Sequence, residues 1–338
     1  MARKVNEENE RIKRAYLAFL REAKRCDDAT CTKAADAILR FEKSIAFKSF
    51  KQFHIEQPRV FKTRLNEEKS PQTGKPLSKA SISSILRANK AFFVWLAGQP
   101  GYKSRISYSD AEYFNQNAKD ARAAHAERPT RFPTLAQCRA AFDAMPSGTD
   151  TEQRNRAAFA CLMLTGARDG ALASFKLKHV DLIEGSIFQD GREVRTKAAK
   201  TFTTYFLPVD GDYREAFEAW VRHLREDLLF GHDDPLFPPA QMGNVDGSFR
   251  VTGFSKTCYA NASALREVIK DAFVNAHLPP FAPHSFRKTL TRWADGHYPT
   301  REGFKAFSQN IGHESVVTTI SAYYKVSLER QAELIKRQ

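Results

Sequence analysis

Apolar residues recur every three or four positions along most of this chain, the spacing that gathers them on one face of an α-helix. Ile82, Ile85, Leu86, Phe92, Phe93 and Leu96 form one such stripe with Asn89 in line, and Lys79, Arg87 and Lys90 take other faces. Ser78 or Ser81 caps this helix, and Gly98 with Pro100 ends it. An earlier helix is predicted from about Asn6 to Lys24, with Ile12, Tyr16, Phe19 and Leu20 inward. The aromatic residues of these helices fall on the apolar stripe, so they read as core rather than as platforms for stacking bases. Asn66 to Pro76 carries Pro, Gly, Ser and Lys with no apolar residue and reads as a loop. Further on, Thr134 is the N-cap of a helix striped by Leu135, Cys138, Phe142 and Met145. Another helix covers about Arg156 to Leu164 and stops at Thr165-Gly166.

One region breaks the helical period. Ser186 to Gln189, the pair Asp190-Gly191, and Arg192 to Thr196 read as a hairpin, because Asp-Gly favours the left-handed dihedrals of a tight turn. Thr201 to Val209 is β-branched and aromatic and adds a third strand, and from Glu215 onward helical patterns return. Between about Asn115 and Pro133 the chain is polar, Ala/Arg-rich and without apolar period, which predicts a linker whose basic character suits a phosphate backbone. The expected fold is mainly α with a small antiparallel β-sheet (α+β). A helical domain over 1–114, a linker over 115–133 and a second domain over 134–338 make up the chain. No internal repeat or low-complexity tract is present.

A length of 338 residues allows two separate cores, and 42% hydrophobic content with 26 Phe argues for a folded chain. No apolar run approaches the ~18 residues of a membrane helix. Met1-Ala2-Arg3-Lys4, followed by Glu7, Glu8 and Glu10, lacks the apolar core of a signal peptide. The expectation is a soluble cytoplasmic protein with no membrane partner. Cys26, Cys31, Cys138, Cys161 and Cys258 are odd in number and scattered, and Cys26/Cys31 lacks a second pair to complete a zinc site. Free thiols and no metal or cofactor are expected. The net charge of +14 becomes informative once located. Residues 1–140 hold 28 Lys and Arg against 15 Asp and Glu, whereas residues 141–338 hold 25 against 24. A basic module joined to a near-neutral one suggests a part that grips a polyanion and a part that does something else.

The sequence has no GxxxxGK[ST] phosphate loop, no HExxH and no evident carboxylate cluster for two metals. It has instead a set of cationic and imidazole groups. Arg168 follows Thr165-Gly166-Ala167 where the next helix can start, His284 and Arg287 stand three residues apart on one helical face, and His313 follows Ile311-Gly312. Tyr323 and Tyr324 come ten and eleven residues after His313. A phosphorane-like transition state needs guanidinium groups on its non-bridging oxygens, a nucleophile, and an acid for the leaving oxygen. Two arginines, two histidines, a lysine and a tyrosine supply these without metal. Each piece alone is common by chance; order and spacing together carry the weight.

Thr165-Gly166-Ala167-Arg168, then His284-Ser285-Phe286-Arg287, then Gly312-His313-Glu314-Ser315 with Thr318-Thr319 and Tyr323, resembles the signature of the tyrosine recombinases, the phage-integrase family. The resemblance spans 134–338, Ile311 to Thr319 is its most specific stretch, and the basic segment before it looks like that family's core-binding domain. It implies that Arg168 and Arg287 clamp the scissile phosphate, His284 helps accept the tyrosine proton, and His313 hydrogen-bonds the phosphate. Lys200, with Lys197 as rival, would protonate the departing 5′-hydroxyl, and Tyr323, with Tyr324 as fallback, would be the nucleophile. Three departures stand out. The family usually has a carboxylate three residues after the first arginine, where this chain has Ala171, and the task either lapses or passes to Asp169. The usual nucleophile spacing lands on Ala322, one place short. The hairpin lysine lies where loop lengths vary. The implied function is site-specific DNA recombination or integration through a 3′-phosphotyrosine, on double-stranded DNA, by a tetramer, with an accessory DNA-bending protein possible. A short amphipathic helix over 327–335 would dock on a neighbouring protomer or on its own domain. The alternatives are a type IB-like topoisomerase and a non-catalytic DNA-binding protein on a decayed scaffold.

Overall fold

Asn6 opens the first helix, α1 (Glu7–Glu22): its side chain accepts the Asn9 amide, and Glu7, Glu8 and Glu10 place negative charge at the positive end of the helix. The computed structural model describes residues 5–70, 74–125, 131–313 and 335–336, and the chain divides into two compact units, 1–129 and 130–338.

The first unit contains α1, α2 (Asp28–Ser44), α3 (Glu56–Glu67), α4 (Lys79–Ala97) and α5 (Ala118–His125). Its core is aromatic. Phe41 meets Phe61 and Phe93 edge-on at 5.3 and 5.2 Å between ring centres, and Phe92 and Phe93 are fully buried. Within the core, the fully buried Glu42 accepts from Asn9 and Lys13, which pairs its charge. Ser78 caps α4 by accepting the Ser81 amide. Helix α5 lies inside the stretch read as linker. It has no apolar stripe, yet Asn117 caps it by accepting the Asp120 amide at 2.7 Å, and Asp120 pairs with Lys79 at 3.0 Å.

In the second unit Thr134 and Gln137 form a capping box that starts α6 (Leu135–Asp143). Helix α7 (Asp150–Thr165) begins earlier than its apolar run suggested, because Thr149 and Glu152 make a second capping box ahead of Arg156. From Ala157 to Thr165 every residue of α7 is buried, so it forms the centre of the unit. After α8 (Asp169–Leu172) come β1 (Val180–Asp181), β2 (Ser186–Gln189) and β3 (Phe202–Tyr205) in one antiparallel sheet, order β1-β2-β3. Helix α9 (Gly211–Glu226) packs along α7, and β4 (Ala240–Val245) with β5 (Ser248–Phe254) forms a separate hairpin. Helices α10 (Ser263–Asn275), α11 (Pro283–His297) and α12 (Arg301–Asn310) complete the described part.

Two strand expectations are corrected. Residues 192–196 are not a strand; β2 pairs with β3 instead, Ser186 opposite Tyr205 and Gln189 opposite Phe202. The Asp190 carboxylate binds the backbone and guanidinium of Arg192, and the Val194 amide returns to the Asp190 carbonyl at 2.7 Å, so the chain curls into a loop. The second correction is β4–β5, in a region expected to be helical. There Asp246 and Gly247 adopt φ of 51° and 77°, the left-handed pair that a two-residue hairpin turn requires. The Asp-Gly chemistry is sound, but it operates at this second pair.

Candidate active site

Pro283 opens α11, where its fixed φ suits the helix, His284 follows it in the first turn, and Arg287 stands three residues further on. Arg287 is 1% exposed. Its guanidinium donates to the Gly166 carbonyl, to the Ile311 carbonyl at 2.9 Å, and to His313 Nε2 at 2.7 Å. These two carbonyls follow the ends of α7 and α12, where helix dipoles present negative charge. A buried cation thereby gains partners from two helix termini.

Glycine makes both termini possible. Gly166 ends α7 at φ 58°, its amide returning to Leu162. At the end of α12, the Gly312 amide bonds the Gln309 carbonyl at 2.8 Å and the His313 amide bonds the Ser308 carbonyl at 3.0 Å, with Gly312 at φ 77°. That is a Schellman cap, and it delivers His313 to the guanidinium. A Cβ on Gly312 would lie 2.4 Å from the Phe202 ring, so only glycine lets β3 approach.

His313 is buried and its pKa is pushed down to about 3. Burial is the largest cause, followed by the positive charges of Arg287, Arg168, Lys200 and Lys197. The ring is therefore neutral near pH 7. Because Nε2 accepts from Arg287, the proton belongs on Nδ1. His284, on the outer side of α11, is also lowered, first by partial desolvation and then by Arg287, Lys288 and Arg168, with Asp169 opposing. Arg168 sits half-buried at the N-cap of α8, its charge reaching both histidines. Lys200 is half-buried with its ammonium 5.9 Å from the Phe202 ring centre, whereas Lys197 is exposed. The loop between them is strained: Ala198 and Ala199 have φ of 58° and 51°. A Cβ on Gly191 would lie 1.9 Å from the Ala199 carbonyl, so that glycine serves a close approach rather than a tight turn.

Arg168, Arg287, His284, His313 and Lys200 thus share one electrostatic neighbourhood, although 145 positions separate Arg168 from His313 in the chain. Tyr323, Tyr324 and Ala322 lie outside the described residues. So does the stretch 327–335 except for Ile335, which is exposed. Ala171 is buried against the core, and Asp169 accepts from Arg266 of α10. Burial raises the Cys138 and Cys161 thiols to about 12, so neither is a ready thiolate. Among the described residues no helix is long and apolar enough to cross a membrane, and no group of His, Cys, Asp or Glu is arranged for a metal. Asn310, which the sequence reading passed over, lies between β3 and the turn that carries His313.

Neither a protein-family model nor a curated protein matches this sequence. Solved structures do match its fold. A dimer of lambda integrase residues 75–356 bound to a COC′ core site superposes with a TM-score of 0.62 at 14% identity, covering 94% of this chain and 95% of that one. XerH site-specific recombinase bound to a palindromic difH substrate gives 0.60 at 17% identity, covering 96% and 84%. Residues 82–397 of the Tn1549 transposon integrase in complex with transposon right end DNA give 0.55 at 16% identity, covering 96% and 98%. The chain has the tyrosine-recombinase fold.

Proposed function

We propose that this protein is a site-specific DNA recombinase that cuts and rejoins strands through a tyrosine ester. The observation that carries this reading is the buried Arg287, bonded to His313 and sharing its surroundings with Arg168, His284 and Lys200, on that fold. Tyr323 attacks the scissile phosphorus as its proton passes to neutral His284. The P–O5′ bond breaks, and the departing oxygen takes a proton from the Lys200 ammonium. The product is a 3′-phosphotyrosyl enzyme and a free 5′-hydroxyl. Arg168 and Arg287 stabilise charge on the non-bridging oxygens, and His313 offers its Nδ1 proton to one of them. A 5′-hydroxyl of a partner strand then attacks the ester, expels Tyr323 and reseals the DNA. One phosphate ester replaces another at each step, so no nucleotide is consumed. The basic module of residues 1–114 grips double-stranded DNA, and a tetramer brings two sites together.

A pool of nicked suicide duplexes of random sequence, incubated with the protein in EDTA, tests this. A covalent adduct that survives denaturation is expected, lost in Tyr323→Phe and kept in Tyr324→Phe. Loss in Tyr324→Phe alone moves the nucleophile by one place. No adduct with the native chain removes the enzyme reading.

A further inference from the structure

Strand β3 is at the edge of its sheet, so one row of its peptide groups has no strand to pair with. Asn310, the last residue of α12, supplies that pairing. Its Oδ1 accepts the Tyr205 amide at 2.7 Å and its Nδ2 donates to the Tyr205 carbonyl at 2.9 Å. A single side-chain amide thereby gives Tyr205 both bonds that a neighbouring strand would give, and this double match fixes which end of the amide is oxygen. The Asn310 carbonyl also accepts from Thr204 Oγ1 at 2.9 Å, and Thr204 in turn accepts from the buried Gln189 of β2 at 2.8 Å. Two residues further along, Gly312 lies against the Phe202 ring, over which the Lys200 ammonium sits.

Strand β3 is thus held at both ends by the segment 310–313, whose last residue is His313. We propose that Asn310 is a positioning residue: it locks β3 to the end of α12, and so sets Lys200 at the distance from His313 and Arg287 that leaving-group protonation requires. The inference rests on the recombinase reading and adds to it a residue that touches neither DNA nor the reacting atoms. Among the described residues, the Thr204 bond and van der Waals contact also join sheet and helix end here, and each of these tolerates sliding. The paired amide does not, because its two bonds fix register as well as distance.

The test uses the full chain and a suicide duplex recovered from the random pool, made in two forms, with oxygen or sulfur bridging phosphorus to the 5′-carbon. A thiolate leaves without a proton, so the sulfur form needs no general acid. Asn310→Ala is expected to slow cleavage of the oxygen form about 10²-fold, within the range that general-acid catalysis contributes, while the sulfur form is cleaved within about threefold of the native rate. In a Lys200→Ala background, Asn310→Ala should add little further loss on the oxygen form. Asn310→Asp, which keeps the acceptor for the Tyr205 amide and loses the donor, should fall between, and it serves if Asn310→Ala does not fold. Equal loss on both forms would overturn the proposal, since Asn310 would then support the whole site rather than the acid. A native chain that forms no adduct with any duplex of the pool overturns the recombinase reading instead.

Discussion

Arg287 and His313 set the chemistry at the scale of single residues. Arginine in a buried position is costly unless its donors are met, and here two carbonyls and a ring nitrogen receive them. The neighbouring histidine must stay neutral, because a second cation 2.7 Å from the guanidinium would be repelled. In the unfolded chain His313 binds a proton below about pH 6.5. In the folded chain it does so only near pH 3. Its contribution to stability is therefore complete above pH 6.5 and is lost as pH falls toward 3, at up to about 1.4 kcal/mol per pH unit. His284, lowered in the same direction, adds to the slope. Urea unfolding at pH 7.5 and pH 5 should show His313→Gln losing about 2 kcal/mol less than the native chain over that interval. Equal losses would mean that the imidazole is not held neutral. The types and spacing of these residues were legible in the sequence. The bonds of Arg287 to helix-end carbonyls were not, since Gly166 and Ile311 are 121 and 24 positions away.

Elements matter here chiefly through their ends. Helices α7 and α12 each stop at a left-handed glycine, and their termini meet at Arg287. The two glycines carry different burdens. At Gly166 a Cβ meets the tips of Ile311 and Leu290 at 3.2 and 3.3 Å, which can shift. At Gly312 it meets the Phe202 ring at 2.4 Å. Gly166→Ala should cost about 1–2 kcal/mol from backbone strain, and Gly312→Ala an additional 1–3 kcal/mol, roughly, from overpacking. Denaturant midpoints would reveal the ranking, and adding Phe202→Ala should return part of the Gly312→Ala loss. A Gly312→Ala chain as stable as native would contradict the close approach of β3. The sequence announced the stop of α7 through Thr165-Gly166, because a glycine after an apolar helix is a local signal. It misled at Asp190-Gly191, where competing bonds from Arg192 and the close pass of Ala199 decide the path.

At the scale of the whole molecule, charge is partitioned: most of the +14 belongs to the first 140 residues. If that half grips phosphates, affinity for a duplex should fall about 10³-fold or more between 50 and 200 mM salt, as counterion release dictates for six or more contacts. Fluorescence anisotropy with the full chain measures this, and an affinity that barely moves would take DNA gripping away from the basic half. Composition and periodicity determined such matters by themselves: the helical class, the apolar stripe that buries Phe92 and Phe93, the capped starts of α4 and α6, and the uneven charge. Each depends on residues within one or two turns of one another, where hydrogen-bond geometry and hydrophobic period leave few choices. Only the tertiary structure decided that β2 pairs with β3, that α5 is helical without an apolar face, and that Asn310 completes the edge of β3. It alone also brought the charge of Lys200 within reach of His313. These are pairings across tens to hundreds of positions, and the free energy that selects them comes from burying surfaces against one another, a quantity no local window of sequence contains.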